Sequence, residues 1–208
     1  KLDSSKMSAL TFEDRNKALI AIADAIMANK ENIIKANETD LEKAKEDGIA
    51  APILKRLKFN EDKINDVVKG IRDLIALPDP LGKIQMKREL DTDLLLIRES
   101  CPIGVIGVIF ESRPDAMVQI STLCIKSGNC AILKGGSEAM NTNKIVFDTI
   151  YNAAIEAGLP ENCMMQVEAR EEINELLACH ESVDLLIPRG SNAFVQYIIC
   201  LLYTSDAA

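Results

Sequence analysis

Residues 103–137 read IGVIGVIFESRPDAMVQISTLCIKSGNCAILKGGS, and this stretch decides the fold. An apolar run at 103–110 ends in Glu111-Ser112-Arg113-Pro114. A helical pattern at 115–127 stops at Gly128-Asn129, and a second apolar run at 130–133 ends in Lys134-Gly135-Gly136-Ser137. Short continuous apolar runs alternating with amphipathic helices predict parallel strands covered on both faces. Further runs at 164–167 and 183–187, with helical patterns at 142–157 and 171–179, extend the series. Gly158-Leu159-Pro160 supplies another helix stop, and the fourth run leads into Pro188-Arg189-Gly190-Ser191 before a helix starting near Asn192. The expected fold class is therefore α/β, a doubly wound parallel sheet spanning 102–199.

Upstream, residues 1–80 are expected to be helical. Thr11 and Asp14 form a capping box ahead of Leu19, Ile22, Ala23 and Ile26 at helical spacing. The pattern continues through Ile33 and Ile34 to a stop at Asp47-Gly48. Asn60 caps a helix with Ile64, Val67, Val68, Ile71, Leu74 and Ile75 on one face, ended by Pro78 and Pro80. Residues 83–99 then read as two antiparallel strands around Leu90-Asp91-Thr92. The first alternates Ile84 and Met86 with Lys83, Gln85 and Lys87, as a half-exposed strand should. Such a hairpin serves either as an oligomer contact or as a surface flap.

Composition narrows the function. The chain has 208 residues, 48% of them hydrophobic, enough for one sizeable core. A net charge of −8, with no basic run, argues against nucleic-acid binding. No apolar run approaches the ~20 residues of a membrane span. KLDSSKMSALTFEDR has no hydrophobic signal centre, so a cytoplasmic location is expected; without an initial Met, a few residues are expected to precede Lys1. The cysteines at 101, 124, 130, 163, 179 and 200 form no CxxC pair, and Cys124 and Cys130 read as small buried hydrophobes. With His180 the only histidine, and placed as a surface residue, neither a metal site nor a histidine-based catalytic set is expected.

The chemistry concentrates at the strand exits. Arg113, Lys134 and Arg189 place one cation at each of three exits, beside Pro114, Gly135-Gly136-Ser137 and Gly190-Ser191. Ligands of open parallel sheets sit outside the carboxyl ends of the strands, where glycines allow close approach and helix N-termini face anions. A converging positive pocket for a phosphorylated ligand follows. Neither GxGxxG nor GxxxxGK[ST] occurs, which disfavours an ordinary Rossmann dehydrogenase or a P-loop nucleotidase. Lys134 and Ser137 stand where an NAD site usually places an acid, and tilt the expectation towards NADP.

Several segments resemble one family. PIGVIGVIFESRPD (102–115) and LKGGSEAMNTN (133–143) closely resemble the glutamate-5-semialdehyde dehydrogenase (γ-glutamyl phosphate reductase) branch of the aldehyde dehydrogenase superfamily. The likeness extends to IIKANETDLEKAKEDGI, RLKF, DPLGKI, AGLP and VDLLIPRGSNAFVQYI, and so over about 1–199. It implies an aldehyde-dehydrogenase-type cofactor domain and an NADPH-dependent reduction of L-glutamyl 5-phosphate to L-glutamate 5-semialdehyde and phosphate, in proline biosynthesis. In that family a cysteine thiolate displaces phosphate to give a thioester, and hydride from the nicotinamide releases the aldehyde. Residue by residue, the resemblance gives Lys134 contact with the adenosine ribose and puts Ser137 where NAD-preferring relatives carry a glutamate. Gly190 and Ser191 open the pyrophosphate-binding helix, with Arg189 beside them. Ser112 and Arg113 lie in the loop approaching the acyl group. The 83–99 hairpin matches the homo-oligomerisation arm, and functional association with glutamate 5-kinase is implied.

The chain departs from the family in one large respect. The catalytic cysteine is expected beyond the last residue, in a second domain, and none of the six cysteines matches it. Cys101, before Pro102, lies at the wrong end of a strand. Residues 200–208, CLLYTSDAA, resemble the translation of a transposon end used in preparing sequencing libraries, and are expected to be foreign to the natural chain. The 1–199 segment is then an incomplete cofactor domain, inactive alone. Two other readings stay open: a non-catalytic truncated NADP-binding protein, and a reductase or dehydrogenase of the superfamily acting on another substrate.

Overall fold

The computed structural model describes residues 1–111, 113–168, 179 and 181–205. Ser112, residues 171–178 of the helix expected at 171–179, His180, and 206–208 of the expected foreign tail lie outside the described residues.

Five helices come first: α1 (Leu2–Ser8), α2 (Phe12–Ala28), α3 (Lys30–Glu46), α4 (Ala51–Leu57) and α5 (Glu61–Ala76). The Thr11–Asp14 capping box is present in both directions, and the Asn60 side chain accepts from Lys63 N. The expected long second pattern is broken at Asn29, which ends α2 and starts α3. After α3, Gly48 takes a left-handed turn with φ +70°, which a residue without Cβ adopts at no steric cost. Neither α1 nor α4 is foreseen from periodicity, because seven residues give less than two apolar repeats.

The hairpin follows as β1 (Ile84–Asp91) and β2 (Leu94–Glu99), antiparallel, with Asp91 opposite Leu94. The turn falls on Thr92-Asp93, one residue later than expected, and Asp93 takes φ +63°. Neither strand is half-covered: every residue but the half-buried Met86 is exposed, because the ribbon stands off the body.

The main sheet is four-stranded and parallel, in order β5-β4-β3-β6. Its strands are β3 (Val105–Phe110), β4 (Cys130–Lys134), β5 (Met164–Val167) and β6 (Leu185–Arg189). Between β3 and β4 lies α6 (Pro114–Lys126), and between β4 and β5 lie a 3-10 turn (Ser137–Ala139) and α7 (Met140–Glu156). The last helix, α8 (Asn192–Ser205), follows β6. β3 begins two residues later than expected, since Ile103 is exposed and Gly104 turns with φ +126°. β6 is displaced by two residues towards Arg189, so Pro188 is a strand residue and not part of the exit. An edge strand tolerates the missing N–H of proline, and β6 is an edge.

Crossover connections carry β3 to β4 to β5 in one direction, with α6 packed on β3 and β4 and α7 on β5. α2 lies against α5, α6 and α7 as a further helical layer. Leu19, Ile22 and Ile26 of α2 are fully buried there, each stabilising the fold by about 1.5–3 kcal/mol. On the other side of β3 lies β6, reached from the far edge of the sheet. The winding thus reverses between β3 and β6, the place where an open α/β sheet leaves a crevice.

Candidate functional site

Strand register brings the exits side by side. Ile109 is paired with Lys134, Phe110 with Arg189, and Lys134 with Val167. The exits of β4 and β6 are two strand spacings apart, about 10 Å. Over them opens a cleft of about 880 Å³, whose lining includes Lys134, Gly135, Gly136, Ser137, Gly190 and Ser191. These are six of the nine site residues expected from sequence.

The other three fall elsewhere. Arg189 sits within β6 opposite Phe110 and does not line the cleft. Arg113 lies before α6, its guanidinium 2.7 Å from the Asp115 carboxylate, which holds its pKa above the ordinary value. Asp115 faces a separate groove between α5 and α6. Ser112 is outside the described residues. The expected convergence of Arg113, Lys134 and Arg189 is therefore not formed: one cation is tied to its neighbouring acid, and one belongs to a strand. The second cation at the cleft is Arg56, from α4.

Helix N-termini here already meet carboxylates. Asp40, buried on α3, accepts from Thr142 N at 2.7 Å and Thr142 Oγ1 at 2.5 Å with one oxygen, and from Asn141 Nδ2 at 2.8 Å with the other. It caps α7, so those N–H groups are unavailable to a ligand. At α8, Ser191 N donates to Glu111 Oε2 at 2.9 Å, bridging the crevice between β3 and β6. Lys134 is buried with its Nζ donating to Gly135 O at 2.8 Å, which holds the glycine turn in shape.

The glycines at the β4 exit are closely surrounded. A Cβ on Gly135 would stand 2.2 Å from Asn143 Nδ2, and one on Gly136 would stand 2.4 Å from Glu138 Oε1. Glu138 thus lies folded over Gly136, and with Glu111 and Glu168 gives the cleft three carboxylates. Its far wall is apolar, formed by Ile49, Ala50 and Ile53. That wall and Arg56 were missed from sequence; the only available signal was Pro52 ahead of Ile53, Leu54 and Leu57.

No cysteine lines this cleft among the described residues. Cys124, Cys130 and Cys163 are buried, and burial pushes the Cys124 and Cys163 thiols up to about 12. Groups of three or more histidine, cysteine or acidic residues able to hold a metal ion are absent among the described residues.

The aldehyde dehydrogenase family model matches residues 2–202. A γ-glutamyl phosphate reductase of Ruminiclostridium cellulolyticum is 55% identical over 196 residues, covering 94% of this chain and 45% of the relative. One from Acetivibrio thermocellus is 54% identical, covering 94% and 46%. The crystal structure of γ-glutamyl phosphate reductase from Thermotoga maritima superposes with a TM-score of 0.91 at 32% identity, covering 95% of this chain and 48% of that one. The Saccharomyces cerevisiae structure gives 0.89 at 41%, covering 94% and 50%. The chain spans about half the length of the relatives it matches.

Proposed function

Because the chain belongs to the aldehyde dehydrogenase family, we propose that its cleft is the nicotinamide-cofactor site of a γ-glutamyl phosphate reductase, and that residues 1–199 are its cofactor-binding half. The observation that carries this reading is one cleft joining Lys134–Ser137 at the β4 exit with Gly190 and Ser191 at the switch between β3 and β6.

The residues fit such a ligand. Gly136 has its nearest contact with the flexible end of Glu138, so backbone approach there needs only that side chain to move. Ser191 offers a backbone N–H at the start of a helix, the donor a pyrophosphate takes. Ser137 and Lys134 would hold the adenosine ribose, and the pair tolerates the 2′-phosphate of NADPH. Arg189 backs the pyrophosphate turn from β6, and Arg113, with Ser112, belongs to the acyl-group loop. When bound, the cofactor supplies hydride. The chain's own residues orient it, and the apolar wall of Ile49, Ala50 and Ile53 limits water.

On this reading the substrate of the whole enzyme is L-glutamyl 5-phosphate, made by glutamate 5-kinase, with L-glutamate 5-semialdehyde and phosphate as products in a cytoplasmic proline pathway. The nucleophilic cysteine is none of those described, and the 208-residue chain binds cofactor without turnover. The hairpin of β1 and β2 serves as the homo-oligomer arm. Leu94, Leu95, Leu96 and Ile97 are all exposed along it, an apolar run that a second subunit would cover.

The test is titration of the 208-residue chain with NADPH, followed by nicotinamide fluorescence, alongside the substitution Ser191→Pro, which removes the backbone donor. Saturable binding weakened by the substitution is expected. Failure of NADPH to bind at millimolar concentration overturns the reading.

A further inference from the structure

We propose that Arg56 of α4 is the residue that recognises the adenosine 2′-phosphate, and so sets preference between phosphorylated and unphosphorylated cofactor. This rests on the cleft being a nucleotide site. Three observations support it.

First, α4 is fixed beside the β4 exit. Leu57 packs with Ala44 of α3 and Ala139 of the 3-10 turn. Asn37 Nδ2 donates to Leu57 O at 2.9 Å, Phe59 N donates to Asn37 Oδ1 at 2.7 Å, and Lys63 Nζ donates to Arg56 O at 3.3 Å. The backbone from Arg56 to Phe59 is thereby anchored, and Leu57 ties it to the turn that begins with Ser137.

Second, Arg56 lines the same cleft as Ser137, and its guanidinium has no ion-pair partner among the described residues. Lys134, by contrast, is buried and engaged with Gly135 O. A guanidinium presents a planar fork of donors that matches phosphate geometry, whereas a buried ammonium is a point charge.

Third, the acids of the cleft leave Arg56 room to act. Glu111 accepts from Ser191 N, and Glu168 lies 3.4 Å from Lys144 Nζ. Glu138, folded over Gly136, is the competing group: an acid there would favour free ribose hydroxyls. Preference is thus a contest between Arg56 and Glu138, which line the same cleft as Ser137.

Calorimetric titration of the 208-residue chain with adenosine 2′,5′-bisphosphate and with 5′-AMP tests the proposal. The bisphosphate is expected to bind at least about tenfold tighter than 5′-AMP, and R56Q to lose that advantage while keeping 5′-AMP affinity. R56K should recover part of it. K55Q, which removes the same charge from a neighbouring position outside the cleft lining, should leave both affinities unchanged. Equal affinity of the unmodified chain for both nucleotides, or tighter 5′-AMP binding, overturns the role of Arg56 and leaves the nucleotide site standing. An equal loss for both nucleotides in R56Q overturns it as well, marking the residue as structural. Failure of either nucleotide to bind the unmodified chain overturns the nucleotide site itself, and the assignment of Arg56 with it.

Discussion

Replacing Asp40 by alanine removes the buried carboxylate that joins α3 to α7. One of its oxygens serves Asn141, which is exposed, and the other serves Thr142, which is fully buried. Water can replace the carboxylate at Asn141 but not at Thr142. Loss of a helix cap costs about 1 kcal/mol. A buried N–H and hydroxyl left without acceptors cost roughly 1–3 kcal/mol each. Asn37 Nδ2, 3.3 Å from Thr142 Oγ1, is itself a donor and cannot accept the hydroxyl proton, so the second penalty stands. Asp40→Ala is thus expected to destabilise by about 3–5 kcal/mol, or roughly 10 °C in Tm at this chain length. Asp40→Asn can turn its one carbonyl oxygen to Thr142 and its amide towards Asn141, so about 1–2 kcal/mol should be lost. The assay is thermal and urea unfolding followed by circular dichroism. A Tm within about 2 °C of the unmodified chain for Asp40→Ala, or a larger loss for Asp40→Asn than for Asp40→Ala, refutes the reasoning.

Gly135→Ala should lower stability by about 1–3 kcal/mol, because the new Cβ meets the amide of buried Asn143. Gly136→Ala should cost far less, since only the end of Glu138 must move; equal Tm values for the two variants would contradict this. Iodoacetamide at pH 8 should label Cys101, Cys179 and Cys200, which are exposed, and leave Cys124 and Cys163, whose thiols are pushed to about 12. Mass spectrometry showing Cys124 modified as fast as Cys101 would break that account. Glu111→Gln should tighten ADP binding about fivefold at low salt, by removing a negative charge that holds the Ser191 N–H; weaker binding would mean that Glu111 shapes the site instead of competing for it.

The centre of the sheet was legible because β3 is buried on both faces and so carries an uninterrupted apolar run, Val105–Phe110 being buried at every position, whereas β6 carries an apolar run with Leu185 and Ile187 exposed. Helices with strong caps were legible for a similar reason, as at Thr11 and Asn60. The hairpin's pairing could be read, but not its exposure, since alternation records which residues could face a core and not whether one is present. α4 escaped because its meaning is tertiary: Leu54 and Leu57 pack on Ala139, and Asn37 pins the chain beyond it. The same limit applies to the cleft. Glycines and the lysine at the β4 exit were identifiable from local sequence, whereas Arg56 is contributed by a helix about eighty residues earlier in the chain.

Among the described residues, three helices start after strands of this sheet, and the local sequence treats their N-termini alike. The structure does not. α6 has Asp115 in its first turn, paired with Arg113. α7 is sealed by Asp40, buried and making several short hydrogen bonds. α8 meets Glu111 through a single described bond at an exposed position. A phosphate competing for an N-terminus must displace what is there, so the cost rises with the number and burial of the bonds broken. Of these three, α8 has its described bond at an exposed position, and it follows β6 at the reversal of the winding, where the crevice opens. Among the described helices, anion-binding capacity is therefore directed to the β6 exit by carboxylates that occupy the N-termini of α6 and α7, and the ribose end of the cleft is left to Lys134, Ser137 and Arg56.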